Sequence, residues 1–230
     1  MAERKKIGNS KGCFPILWGI VIAVISAIIT FFLGYLLGKK SKSLLRDTEI
    51  GMRAVLKPRL RKVYSEEDWE KRIADKYILK ISKKTREEMQ RYFYPNNIPR
   101  KNAEPFYDKN TGKTYTMEEY SLSCRLEEAI KQKDKMRNSA SMKPDAEITI
   151  LEAINTRGLF LLCEMEYYNL NLGEIFEEYE KFKEAADHLK KARNPYQHHN
   201  DKLLKKEYKE KTIECCKYLL KCIKKQNIEL

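Results

Sequence analysis

The amino-acid sequence predicts an all-α protein in which a single N-terminal transmembrane helix precedes an up-and-down helical bundle. The uncharged run from Cys13 to Gly38 exceeds the roughly 20 apolar residues that a helix needs to cross a bilayer. The remainder of the chain is highly charged, and its apolar residues recur at helical spacing. Capping signals precede several of these segments. Together these features predict an anchored helical domain.

The residues around the apolar run favour a membrane-spanning helix over a cleaved signal peptide or a buried core helix. No small-residue cleavage site follows it, and no charge interrupts it. Trp18 and Tyr35 lie near its two ends, as expected of an aromatic belt. Basic residues are more numerous after the run than in the short basic tail at 1–12, which predicts a single-pass protein of the inner (plasma) membrane with a cytoplasmic C-terminal domain.

Composition limits the classes of partner and site. The chain contains 46 Lys and Arg against 33 Asp and Glu, a net charge of +13, which suits RNA or an anionic membrane surface. The cysteines beyond the apolar run show no CxxC or Cys/His spacing, so we expect reduced thiols, no metal site and no cofactor. The basic segment 39–64 is predicted to be a juxtamembrane stalk able to lie on anionic headgroups, or alternatively a solvated linker.

The connecting region 65–115 is predicted to contain two helices and an irregular stretch. The first helix follows Ser65-Glu66-Glu67-Asp68 and ends near Leu79, and the second starts at Thr85-Arg86-Glu87-Glu88 and stops at Pro95. Turn signals between Pro95 and Tyr115 allow a short hairpin.

The bundle is predicted over residues 116–230, with helices beginning near Met117, Asp145, Glu174 and Pro195. Thr116 to Glu119 form a capping box for the first of them, and Asn194-Pro195 is an N-cap followed by proline at the first helical position. The acidic pair Glu164 and Glu166 is interpreted as part of a solvated helix face.

The segment Arg193-Asn194-Pro195-Tyr196-Gln197-His198-His199 carries two of the three histidines. Here the sequence resembles the HEPN family of helical-bundle proteins, whose ribonuclease members carry an Arg-Asn-x-x-x-His signature that Arg193, Asn194 and His198 match. The resemblance covers roughly the C-terminal half. It implies a metal-independent endoribonuclease, a homodimer in which two motifs meet, and a role in toxin or phage-defence systems.

The chemistry of these residue types is suited to RNA cleavage. The 2′-hydroxyl of RNA can attack its own phosphate once a base removes the proton and an acid protonates the leaving oxygen, and histidine can do either near neutral pH. We therefore assign His198 as acid or base, Arg193 as phosphate clamp and Asn194 as a positioning or capping residue. Further candidate RNA-binding residues surround the motif: Lys190, Lys191, Tyr196, His199 and Lys202.

Two alternatives stay open. Asn194 and Pro195 are also explained as an ordinary helix start, Arg193 as a residue capping the preceding helix, and the histidines as solvated surface residues. In that case the bundle is a non-catalytic, membrane-tethered interaction module. His199 also fits a looser form of the motif, but it lies about 100° around a helix from His198, so only one of the two faces a given cleft.

Overall fold

The computed structural model describes residues 13–138, 148–197 and 205–226, and within these ranges the side chains of 13–34 and 193–197 are left undescribed. The described part folds into nine helices and one β-hairpin. The long helices are α1 (Cys13–Tyr64), α4 (Met117–Arg137), α8 (Tyr179–Gln197) and α9 (Lys206–Lys224). The shorter helices are α2 (Trp69–Tyr77), α3 (Lys83–Phe93), α5 (Ile150–Ala153), α6 (Thr156–Met165) and α7 (Gly173–Phe176). A 3₁₀ turn covers Pro95–Asn97.

The prediction of a transmembrane helix over 13–38 is wrong. No helix within the described ranges is both long enough and apolar enough to cross a membrane. The apolar run is not an element of its own: it is the beginning of α1, which continues for 52 residues to Tyr64. Because neither Lys39 nor Lys40 is a helix-stop signal, the backbone hydrogen bonding continues past the point where the hydropathy changes.

The second half of α1 belongs to the core of the bundle, whereas the sequence suggested a stalk or a linker over 39–64. Its apolar side chains recur every three or four residues and are almost completely buried, namely Leu45, Met52, Val55, Leu56 and Leu60. Helix α9 packs along this face. Pro58 lies inside the helix without ending it. The buried stripe on α1 therefore forms one wall of the domain.

The connecting region folds against α4 through a second apolar cluster centred on Met89, Phe93 and Tyr120. The hairpin allowed by the turn signals is present, with β1 (Phe106–Asp108) antiparallel to β2 (Lys113–Tyr115) and Tyr107 opposite Thr114. The turn is closed by the side chain of Asp108, which accepts hydrogen bonds from the Asn110 N–H at 3.0 Å and the Thr111 hydroxyl at 2.8 Å.

Two of the predicted bundle helices are each broken in two. Ile154 ends α5 in an extended conformation, and Asn155 caps α6 by accepting a hydrogen bond from the Gly158 N–H at 2.9 Å. Glu177 lies between α7 and α8 with a positive φ of 61°. The helix predicted to start near Asp145 therefore corresponds to α5 followed by α6, and the helix predicted to start near Glu174 corresponds to α7 followed by α8. Asp145 itself lies outside the described residues.

Gly158 lets α6 approach α4 closely. An ideal Cβ at this position would lie 2.7 Å from Ile154 Cγ1 and 2.9 Å from Arg125 Cβ. Real Cβ atoms do not approach other carbon atoms so closely, so only glycine fits without displacing one of these neighbours.

Candidate functional site

The described part of the motif lies at the end of α8, not at the start of the last helix. Arg193, Asn194 and Pro195 are inside α8, which ends at Gln197, and α9 begins at Lys206. The predicted helix start at Pro195 is therefore wrong. The last turn of a helix presents carbonyl groups and the negative end of the helix dipole. The first-turn N–H groups that a helix start would offer to a phosphate are consequently absent here.

The remaining motif residues fall on parts that the structure leaves undescribed. His198, His199 and Lys202 lie outside the described residues, and for Arg193, Asn194 and Tyr196 only the helical backbone is described. The structure thus places the arginine and the asparagine on adjacent positions of one helical turn. The predicted catalytic set itself stays a prediction.

The turns of α8 that lead to Arg193 are packed into the core. The inner face of α8 consists of fully or almost fully buried side chains at helical spacing, namely Phe182, Ala185, Ala186, Leu189 and Ala192. Ala192, immediately before Arg193, has no exposed surface. Helices α6 and α9 pack against this face. The position of the motif's first two residues is therefore set by the bundle.

Lys190 is engaged in ion pairs within the protein. Its ammonium lies 2.6 Å from a Glu164 carboxylate oxygen and 2.7 Å from an Asp187 oxygen, and only 13% of its side chain is exposed. Burial raises the pKa of Glu164, and Lys190 only partly offsets this effect. A lysine held by two acids contributes little to polyanion binding. Lys191 is exposed and makes no ion pair with any residue the structure describes.

His188 is the one histidine whose side chain the structure describes, and it joins α8 to α9. Its Nε2 lies 2.9 Å from the Thr212 hydroxyl oxygen. Because that hydroxyl donates to the Tyr208 carbonyl at 2.9 Å, the imidazole N–H is the donor to Thr212. Burial, together with Lys211 and Lys191, lowers the pKa of His188. This histidine is therefore neutral near pH 7 and fixes the start of α9 against α8.

Glu166 is the most deeply buried carboxylate of the described chain. It accepts hydrogen bonds from the Tyr64 hydroxyl at 2.6 Å, from the Lys76 ammonium at 2.7 Å and from the Asn169 amide at 3.0 Å. The Tyr77 hydroxyl is a further donor. Burial opposes ionisation, but these donors outweigh it and hold the pKa of Glu166 below its ordinary value. The carboxylate links α1, α2 and the end of α6 as a structural clamp.

Sequence reasoning missed both buried glutamates. Glu164 and Glu166 have side chains only 10% and 0% exposed, whereas the sequence suggested a solvated helix face. Their partners, Lys190 and Lys76, are distant in sequence, so no local sequence pattern predicts either ion pair. The one available signal is that both glutamates come directly after or close to the apolar stretch Leu159 to Cys163.

Elsewhere on the described surface, one hollow of about 330 Å³ lies between the second half of α1 and residues 169–174, and includes Arg59, Lys62 and Glu174. This hollow is not part of the motif's surroundings. Within the described ranges, no three metal-ligating side chains meet.

The contacts between helices show which end of the bundle carries the motif. Thr48 of α1 lies beside the Cys216 thiol of α9, and Glu174 contacts both Arg59 and Gln226, so α1 and α9 run in the same direction. Counting back at about 1.5 Å per residue places the start of α9 level with Gly38. Since α8 runs antiparallel to α9, its last turn lies at this same end.

Comparison with models of protein families, with curated proteins and with solved structures found no match for this chain.

Proposed function

We propose that this protein is a metal-independent endoribonuclease of the HEPN type, with Arg193, Asn194 and His198 as its catalytic residues. The observation that carries the proposal is the position of Arg193 and Asn194 near the carboxyl end of α8, directly after the fully buried Ala192. A rigid backbone is what a phosphate-clamping arginine requires, because a small displacement of a charged group weakens transition-state stabilisation.

In the proposed reaction the 2′-oxygen of RNA attacks the adjacent phosphorus and the bond to the 5′-oxygen breaks. His198 takes the proton from the 2′-hydroxyl or delivers one to the leaving 5′-oxygen. Arg193 binds the non-bridging phosphate oxygens, where negative charge accumulates. One motif per chain implies that a second copy supplies the complementary acid or base, which makes the active species a homodimer.

The charge distribution supports a polyanionic substrate. The chain carries a net charge of +13, and Lys191 and Lys205 are exposed near the connection between α8 and α9. Lys190 does not belong to this group because Glu164 and Asp187 hold it.

The test is RNA cleavage by the full chain in the presence of EDTA. We expect His198→Ala and Arg193→Ala each to slow cleavage by about a hundredfold or more, the usual contribution of a general acid or base or of an electrostatic stabiliser. The matched control is Arg72→Ala, on the exposed face of α2. Equal cleavage rates for the parent and both catalytic variants would exclude the site.

A second function is favoured by one observation. Arg193 lies at the carbonyl end of α8, where a cation is stabilising without any catalytic role. On this basis the bundle is a non-catalytic interaction module that binds a protein or RNA. RNA binding without cleavage by the parent, unchanged by His198→Ala, would favour this function.

A further inference from the structure

The exposed face of α1 between Tyr35 and Ile50 combines basic and apolar side chains. Seven exposed residues recur every three or four positions and so share one side of the helix, namely Tyr35, Leu36, Lys39, Lys42, Ser43, Arg46 and Ile50. Lys40 is also exposed and lies at the edge of this side. The opposite side carries Leu45, Thr48 and Met52, which are buried against the bundle. We call the exposed side the basic stripe.

The charges of the basic stripe are uncompensated, in contrast to those further along the same helix. Arg53, Arg59 and Arg61 each pair with a glutamate. Among the described residues, Lys39 and Lys42 have no acidic partner, nor does Arg46. One exposed acid, Asp47, borders the stripe. The turns of α1 from Lys39 to Arg46 therefore carry a local excess of positive charge directed away from the protein.

The apolar side chains of the stripe are unusually exposed for their size. Tyr35 is 54% exposed, Leu36 45% and Ile50 45%. Phosphate oxygens of a nucleic acid would satisfy the lysines but not the leucine and isoleucine. The interface of an anionic bilayer accommodates both, because headgroup charge attracts the basic residues while the region beneath takes up aromatic and aliphatic side chains.

We infer that the basic stripe binds the surface of an anionic phospholipid bilayer through Lys39, Lys42 and Arg46. This inference does not depend on the proposed ribonuclease activity. The inference narrows the segment that faces the headgroups from residues 39–64 to the turns directly after Tyr35, since the later turns from Met52 to Leu60 are built into the core. Because the last turn of α8 lies at the same end of the bundle, bilayer binding would bring the candidate motif close to the lipid surface.

The test compares binding of the full chain to phosphatidylcholine vesicles with and without phosphatidylglycerol. The variant K39Q/K42Q/R46Q should lose about a hundredfold in affinity for the phosphatidylglycerol vesicles, since each basic residue contributes about fivefold at an anionic surface. The matched control is K217Q/K221Q/K224Q, which removes the same charge at similar spacing from exposed positions of α9. It should bind as the parent does.

Three results would overturn the inference. The first is parental binding that does not depend on phosphatidylglycerol. The second is an equal loss of affinity in both triple variants, which would indicate an effect of net charge alone. The third is unchanged vesicle binding by K39Q/K42Q/R46Q together with a loss of RNA binding, which would make RNA the occupant of the stripe. Circular dichroism of both variants should match the parent because all six side chains are exposed.

Discussion

Replacing Glu166 with alanine should destabilise the fold by about 3 to 4 kcal/mol, the usual cost of removing one partner from a buried charged network. The carboxylate is fully buried and accepts hydrogen bonds from Tyr64, Lys76, Tyr77 and Asn169. Lys76 is 39% exposed and can be rehydrated. Tyr77 is only 8% exposed, so its unpaired hydroxyl alone costs about 1 to 3 kcal/mol.

The assay is urea unfolding of the full chain, monitored by the fluorescence of Trp69 in α2 and by circular dichroism. Glu178→Ala is the matched control, because the pair of Glu178 with Lys181 is exposed on both sides and should contribute less than about 0.5 kcal/mol. If the free energy of unfolding of Glu166→Ala lies within about 0.5 kcal/mol of the parent value, Glu166 does not act as a stabilising clamp.

Three further predictions concern packing, capping and pH. Gly158→Ala should cost about 2 kcal/mol because the new methyl group meets Arg125 Cβ, whereas Gly173→Ala, whose nearest neighbours lie at 3.8 Å, should be almost neutral in urea unfolding. Thr116→Ala should cost about 1 kcal/mol by removing the cap of α4, and an unchanged urea midpoint would contradict this. The pKa of His188 is lowered in the fold, so stability should decrease as the pH falls below the ordinary value of 6.5. Between about pH 7 and about pH 5, the urea midpoint of His188→Gln should therefore fall less than the urea midpoint of the parent.

Elements set by local chemistry were predictable from the sequence. Helix α4 begins after Thr116 as expected, because the Thr116 hydroxyl accepts a hydrogen bond from the Glu119 N–H and the Glu119 carboxylate accepts one from the Thr116 N–H. The helix of the Trp69 segment was also predicted, and the turn signals allowed the hairpin that ends at Tyr115. For α4 and the hairpin, the decisive contacts lie within a few residues of one another.

Elements decided by tertiary packing were not predictable. Asn194-Pro195 has the local form of a helix start, yet α8 passes through it because the buried stripe from Phe182 to Ala192 extends the helix to that point. A change from apolar to charged residues near Gly38 suggested the end of a membrane segment. Helix α1 continues because its later turns bury Leu45 and Met52 in the bundle.

The candidate site was only partly accessible to sequence reasoning. The motif residues were found because they are adjacent in the chain. The ion pair between Lys190 and Glu164 was not found from the sequence, because these residues are brought together only when α6 packs against α8. The pairing of His188 with Thr212 depends in the same way on the antiparallel packing of α8 and α9.

The central claim is metal-independent cleavage of RNA through its own 2′-hydroxyl, and the chemistry of the product ends tests it most directly. RNA treated with the full chain in EDTA should yield fragments with 2′,3′-cyclic phosphate and 5′-hydroxyl ends, and these fragments should disappear with His198→Ala. Fragments with 3′-hydroxyl and 5′-phosphate ends, or fragments of the same ends and yield from His198→Ala, would contradict the account.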